Sequence, residues 1–299
     1  MFHGILPVYK PKGYTSHDVV NQVRHIMRQK RVGHTGTLDP EVEGVLPICL
    51  GQATRVAEYI QELPKRYLGT MTLGIATDTE DQTGQIIERK EVQRPLLKEQ
   101  VVQIFRLFEG EIMQVPPMYS AVKMKGKRLY EWARQGKTVA RKARKVTIYS
   151  LNCLEIEQHS NPKIKFDVVC SKGTYVRTLC VDIGKQMGYP AHLSHLVRTE
   201  SGPFRLEDCY TLDQLVALQT DEEKRDVLYP IDEGLKQFPS VIVRDEDVKH
   251  VQNGLPLLLE IPFPLARIRV YSESGEFCAL YRYERGVAKP EKVFRDVTD

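Results

Sequence analysis

The residues best placed to do chemistry lie in Gly33-His34-Thr35-Gly36-Thr37-Leu38-Asp39-Pro40, followed by Gly44-Val45-Leu46-Pro47. Glycines allow positive φ and close approach of a second backbone, and Pro40 restricts Asp39 toward an extended conformation. Such a loop can hold one carboxylate rigidly at the edge of a cavity. The same residues equally suit a tight turn with a solvated aspartate, and His34 taken alone suits a structural hydrogen bond. Carboxylate chemistry on a small sugar calls for a second nearby acid, for which Glu41 and Glu43 are available.

A second cluster is Ser171-Lys172-Gly173-Thr174-Tyr175-Val176-Arg177. If a strand runs through it, Tyr175 and Arg177 sit at i and i+2 and project from one face. The arginine can then orient a carboxylate while the tyrosine ring contacts a base; an exposed strand end fits the residues equally well. Lys65-Arg66-Tyr67 repeats the basic–aromatic pairing, with a surface strand start as its plain alternative.

Charge adds a partner class. Between Lys123 and Lys145 stand ten basic residues and one acid, Glu131. The net charge of +4 over 299 residues is therefore +9 in this segment and −5 in the other 276. Interleaved with Tyr119, Tyr130 and Trp132, so dense a block repels itself unless a polyanion meets it. A solvated basic loop is the alternative, and a sugar-cleaving enzyme has no use for the segment.

The elements that must carry these residues follow from periodicity. Gly4 to Tyr9 reads as a strand, and Thr15 or Ser16 caps a helix with Val19, Val20, Val23, Ile26 and Met27 on its apolar face. Helices are expected over Gln52–Leu63, from Pro95 to Phe108, over Val176–Met187 and over Leu212–Leu218. Strands are expected over Tyr67–Ile75, Val146–Glu157 and Lys163–Ser171, the last with Ile164, Phe166, Val168 and Cys170 facing inward. Lys236 to Pro239 reads as a boundary, followed by short strands around a helix at Asp245–Asn253 capped by Gly254.

Apolar residues make up 41% and charged residues 27%, a globular composition. No apolar run reaches membrane-spanning length; Leu255 to Ile268 is broken by Glu260 and three prolines. The start lacks a secretory pattern, and the six cysteines form no CxxC pair. The expectation is a cytoplasmic protein with reduced thiols and no metal site.

Six stretches together resemble the TruB-type tRNA pseudouridine synthases, which isomerise uridine 55 in the T-loop of tRNA. They are Lys10-Pro11-Lys12-Gly13-Tyr14-Thr15-Ser16, Gly33 to Pro40, Lys65-Arg66-Tyr67, Gln114 to Lys123, Gly173 to Leu179, and Leu196 to Gly202. They occur in the family's order. Glu41-Val42-Glu43 is more acidic than the small residues usual there. The chain ends at Asp299 without the long basic tails of guide-RNA-dependent relatives, so the resemblance is to the stand-alone class.

The resemblance implies an α+β protein with a mixed, mostly antiparallel sheet flanked by helices. Residues 1–238 form the catalytic domain, interrupted by a basic RNA-gripping insertion at about 112–146, and 239–299 form a small β-rich PUA-like RNA-binding domain. It implies Asp39 as the catalytic aspartate, Tyr67 as the ring packed on the target uracil, and Arg177 as the partner of the aspartate. Tyr175 and Leu196 are implied to line the uracil pocket, and His34 to fill the space the flipped nucleotide leaves. Lys10, with Pro11, is implied to belong to a motif supporting the site, Lys10 being counted among the substrate-binding residues. Lys123, Lys125, Lys127, Arg128, Lys137, Arg141, Lys142 and Arg144 are implied to grip the T-arm. The isomerisation is redox-neutral, so no cofactor and no metal are expected, and neither a membrane nor a protein partner is implied. A monomer is expected.

Overall fold

The structure is a computed structural model that describes residues 1–124, 126–258 and 267–295. Strand β1 (Gly4–Lys10) leads to helix α1 (Ser16–Ile26), where Thr15 and Asp18 form a reciprocal capping box. Strands β2 (Val32–His34) and β3 (Glu43–Leu50) follow. The expected helix after them divides into a 3₁₀ turn, Gly51–Arg55, and α2 (Ala57–Glu62). The long strand β4 (Lys65–Leu73) precedes a hairpin of β5 (Ile75–Thr77) and β6 (Ile86–Arg89).

Helix α3 (Lys98–Arg106) and strand β7 (Gly110–Gln114) come next, then the basic insertion. The insertion holds the two-residue strands β8 (Lys123–Met124) and β9 (Lys127–Arg128) and helix α4 (Leu129–Arg134). Strands β10 (Arg144–Glu157) and β11 (Lys163–Cys170), helix α5 (Val176–Met187), and strands β12 (Ala191–Ser201) and β13 (Phe204–Arg205) complete the larger layer. Short helices α6 (Leu212–Ala217) and α7 (Asp221–Asp226) lead to a C-terminal sheet. That sheet contains β14 (Ser240–Val243), β15 (Leu257–Leu258), β16 (Arg267–Ser272), β17 (Phe277–Glu284) and β18 (Val287–Val293), with α8 (Val248–Gln252) between the first two.

The large sheet runs β1-β3-β12-β4-β11-β10-β7, with β2 added on β3 and β13 on β12. Its ladders are antiparallel except β3 with β12, which is parallel and only two residue pairs long, Val197 with Glu43 and Arg198 with Gly44. Period-2 alternation divides the core. On β1 and β3, Leu6, Val8, Leu46, Ile48 and Leu50 pack with the apolar face of α1. The alternate residues Ile5, Val45 and Cys49 pack with Tyr59 and Ile60 of α2 and with Leu280 and Phe294 of the C-terminal sheet. On the other half, α3 and α5 cover one face of β4, β10, β11 and β12 through Phe105, Leu179 and Ile183.

The insertion is bounded more tightly than the composition indicates. Arg144 pairs with Gln114 and Val146 with Ile112, so both flanks are ladder strands and the insertion proper is 115–143. Among the described residues, no helix is long and apolar enough to cross a membrane, and no group of metal-ligating side chains is present.

The short parallel junction depends on Gly44. Its φ is +108°, and a Cβ there would lie 2.1 Å from the Arg198 carbonyl oxygen. Backbone cannot yield as a flexible side chain can, so Gly44→Ala is expected to destabilise the fold by about 3 kcal/mol or more. Urea unfolding measures this; a midpoint equal to wild type would show that β3 and β12 do not need the close approach.

Candidate active site

Asp39 lies between β2 and β3, and the backbone on either side of it is tied to the segment 10–16. Leu38 N donates to Ser16 Oγ at 2.9 Å, and Ser16 Oγ donates to Leu38 O at 3.3 Å. Beyond the aspartate, Pro40 O accepts from Gly13 N at 2.9 Å and from Lys10 Nζ at 3.1 Å. Gly13 adopts φ +86°, which lets the turn present its amide to the loop. The Lys10–Ser16 stretch is thus a clamp on the Gly33–Pro40 loop.

Arg177 meets the Asp39 carboxylate, Nη2 to Oδ2, at 2.8 Å. The arginine side chain is 6% exposed and the aspartate 44%, so the cation is fixed below while the carboxylate opens to the cleft. The guanidinium is itself held: Nη2 donates to Tyr119 O at 2.8 Å and Nη1 to Thr79 O at 2.9 Å. Asp81 lies on its far side at 3.9 Å. An arginine with this many fixed acceptors aims its remaining charge in one direction.

The cleft above Asp39 encloses about 310 Å³, in the range of small-ligand sites. Thr35 to Asp39 form one wall, and Tyr67, Leu196 and Arg198 another. Tyr67 and Arg198 are directly opposite on β4 and β12, so their side chains share a face, with Leu196 two residues along. Burial pushes the Tyr67 phenol above its ordinary value, and Arg198 acts in the opposite direction. Tyr175, Val176 and Arg177 enter from the start of α5, and Ser120 and Ala121 from the base of the insertion. Gln114 fixes Tyr175 from both sides, accepting from its N–H at 2.7 Å and donating to its carbonyl at 3.0 Å.

Asp39, Tyr67, Tyr175, Arg177 and Leu196 therefore converge from four separate parts of the chain. The chain takes the expected helix over Val176–Met187, so the strand-face arrangement of Tyr175 and Arg177, which required the strand to run on, does not form. Gly173 turns the chain at φ +82°, β11 ends at Cys170, and Tyr175 is the N-cap of α5 with Arg177 in its first turn. His34 stands on β2, just outside the wall that begins at Thr35, and its Nδ1 accepts from Gly36 N at 3.2 Å. Burial pushes its imidazole below the ordinary value.

Lys10 is placed differently from a substrate contact. It is fully buried, and its ammonium donates to the carbonyls of Pro11 and Tyr14 as well as Pro40, at 2.9 and 2.6 Å for the first two. Burial pushes it down to about 8, with Asp39 the strongest group acting the other way. It acts on the site by holding the Asp39 loop.

The residue-by-residue reading missed Arg198, Gln114 and Ser16, although each lies inside a stretch that carried the resemblance. Arg198 is 1% exposed, donating from Nε to Val45 O at 2.7 Å and from Nη2 to Gly36 O at 3.4 Å. An arginine at i+2 from Leu196, on the same strand face as that apolar residue, was the available signal. In the insertion, Lys123, Lys127, Arg128, Lys137, Lys142 and Arg144 are exposed, and Arg141 is half-buried with Nη1 on Pro116 O at 2.9 Å. Lys125 lies outside the described residues.

Comparison with known proteins gives this geometry its context. Residues 24–176 match the family model of the TruB family pseudouridylate synthase N-terminal domain, and 177–236 that of the tRNA pseudouridylate synthase B C-terminal domain. The chain is 48% identical to tRNA pseudouridine synthase B of Halalkalibacterium halodurans over 97% of each protein. It is 46% identical to the protein of that name from Bacillus subtilis over 98% of each. Among solved structures, a chain of a Cbf5-Nop10-Gar1 complex superposes with a TM-score of 0.75 at 29% identity, over 98% of this chain and 85% of that one. The clamped aspartate loop, its buried arginine and the aromatic wall thus sit within a fold and a sequence shared end to end, and the chain belongs to the TruB family of pseudouridylate synthases, isomerases that convert uridine to pseudouridine.

Proposed function

We propose that the protein isomerises uridine 55 in the T-loop of tRNA, with Asp39 as the catalytic residue and no cofactor. The observation that carries this reading is the Asp39–Arg177 pair, with the arginine buried and the carboxylate half-exposed, in a cleft it shares with Tyr67 and Leu196. The reaction breaks N1–C1′ and forms C5–C1′; the proton lost from C5 is balanced by one gained at N1. No electrons leave the substrate.

The target base must first leave the stack, at a cost of a few kcal/mol. Stacking on an aromatic face is worth about 1–3 kcal/mol per base, and Tyr67 supplies such a face with Leu196 beside it. His34, at the mouth of the same loop, is placed to occupy the space the nucleotide vacates. Asp39 then attacks the flipped nucleoside, while Arg177 keeps the carboxylate aimed and paired. After the new C5–C1′ bond forms, C5 must lose its proton, and we assign Tyr67 as the acceptor. Tyr67 can accept only as a phenolate, so its phenol first gives its proton to N1, with the neighbouring Arg198 guanidinium partly offsetting the burial that favours the neutral form. Uptake of the C5 proton returns the ring to neutral.

The insertion and the C-terminal sheet complete the reading. Exposed Lys123, Lys127, Arg128, Lys137, Lys142 and Arg144 grip the phosphates of the T-arm, and residues 239–299 act as a PUA-like RNA-binding domain. The protein works as a cytoplasmic monomer without a protein partner.

The test is tritium release from a tRNA transcript labelled at C5 of its uridines. Wild-type protein should release one equivalent per transcript, and none when uridine 55 is replaced by cytidine. Release that persists from the cytidine-55 transcript would move the target to another position.

A further inference from the structure

Four cations of the insertion lie over aromatic rings. Lys127 Nζ is 5.2 Å and Lys137 Nζ 6.0 Å from the centroid of Trp132, the one tryptophan of the chain. The guanidinium carbons of Arg128 and Arg134 are 5.9 and 5.3 Å from the centroid of Tyr130. Both rings are half-buried, and all four cations are exposed.

The rings are anchored to the frame of the insertion. Trp132 Nε1 donates to Met124 O at 3.2 Å, and Tyr130 N donates to Ser120 O at 3.1 Å. Leu129, at the start of α4, is fully buried. Glu131, the one acid of the segment, caps α4 by accepting from the Arg128 backbone amide at 3.3 Å. Ser120 and Ala121 at the foot of the same frame line the catalytic cleft, and Tyr119 O holds Arg177.

Like charges on flexible stems within eleven residues repel one another and sample many rotamers. A ring quadrupole attracts a cation placed over it and so restrains where each charge sits. The segment that carries these rings begins at Ser120 and Ala121, which line the cleft that holds Asp39.

We infer that Trp132 and Tyr130 are positioning residues for phosphate recognition: each ring presets a pair of cations, and the two pairs meet the backbone of a folded RNA arm. This rests on the proposed action on tRNA. Neither ring stacks on a base in this role.

The test changes the ring and leaves the charge untouched. Binding of the tRNA transcript is measured against KCl concentration for wild type, Trp132→Leu and Trp132→Phe, with tritium release at saturating transcript as the second readout. Trp132→Leu should lower the magnitude of the log K against log salt slope by about one to two, the contacts of one cation pair. Its turnover at saturation should equal wild type. Trp132→Phe loses the indole hydrogen bond to Met124 but keeps an aromatic face, and should retain the wild-type slope.

An unchanged slope in Trp132→Leu overturns the inference. So does a Phe variant as impaired as the Leu variant, since the hydrogen bond would then be the cause. Should Trp132→Leu fail to fold, Tyr130→Leu asks the same question of the second pair, with a slope lower by about one to two expected there. A wild-type protein that binds the transcript but releases no tritium defeats the proposed function instead, while the slope comparison still decides the role of the rings.

Discussion

Asp39→Asn is expected to bind the tRNA transcript with near wild-type affinity and to release no measurable tritium. The substitution keeps the size and hydrogen-bonding ability of the side chain and removes only its charge and nucleophilicity. The loop that carries residue 39 is fixed by Ser16, Gly13 and Lys10 through backbone atoms of Leu38 and Pro40, none of which the change touches. The carboxylate faces the cleft rather than the core, so folding should be preserved. Loss of the one group that attacks the substrate typically lowers turnover by at least about 10⁴-fold. Filter binding and tritium release on the same preparation separate the two quantities. Residual release within tenfold of wild type would mean that another group starts the reaction.

Arg177→Ala should reduce turnover by about 10²–10³-fold while transcript affinity changes little, because the arginine acts on Asp39 and not on the bulk of the RNA. Its guanidinium joins the carboxylate to Thr79 O and Tyr119 O, so removing it frees the aspartate and leaves two half-buried carbonyls without their donor. The latter effect costs about 1–3 kcal/mol of stability per carbonyl and should appear as a lower unfolding midpoint. Arg177→Lys keeps a charge but cannot bridge three acceptors in one plane, and should recover stability better than rate. Single-turnover rates at saturating enzyme measure the chemical step. If affinity collapsed while the rate of the bound complex survived, Arg177 would be a binding residue and the assignment to Asp39 would fail.

The chain itself, through types and spacings, determined more of this protein than its plain composition indicates. The 3.6-residue period from Val19 to Met27 and the alternation from Ile164 to Cys170 are local consequences of burying one face, and both elements form as that period requires. Asp39, Tyr67 and Arg177 were each marked by neighbours that restrict backbone or pair charge with aromatic character. The insertion was legible because it concentrates charge of one sign, ten basic residues against one acid between Lys123 and Lys145.

What the tertiary structure alone decided is how distant residues share one environment. Lys10 is a loop support because burial and three carbonyls claim its ammonium, which no local pattern encodes. Arg198 reaches the site because β12 pairs with β4 in the one register that sets it opposite Tyr67, with a register shift on either side. The helix that carries Arg177 was legible from its period, but contacts with Thr79 and Tyr119, 98 and 58 residues away, fix where its guanidinium points. Periodicity reports which face of an element is buried; which elements meet there is set by long-range pairing, and the site lies where those pairings cross.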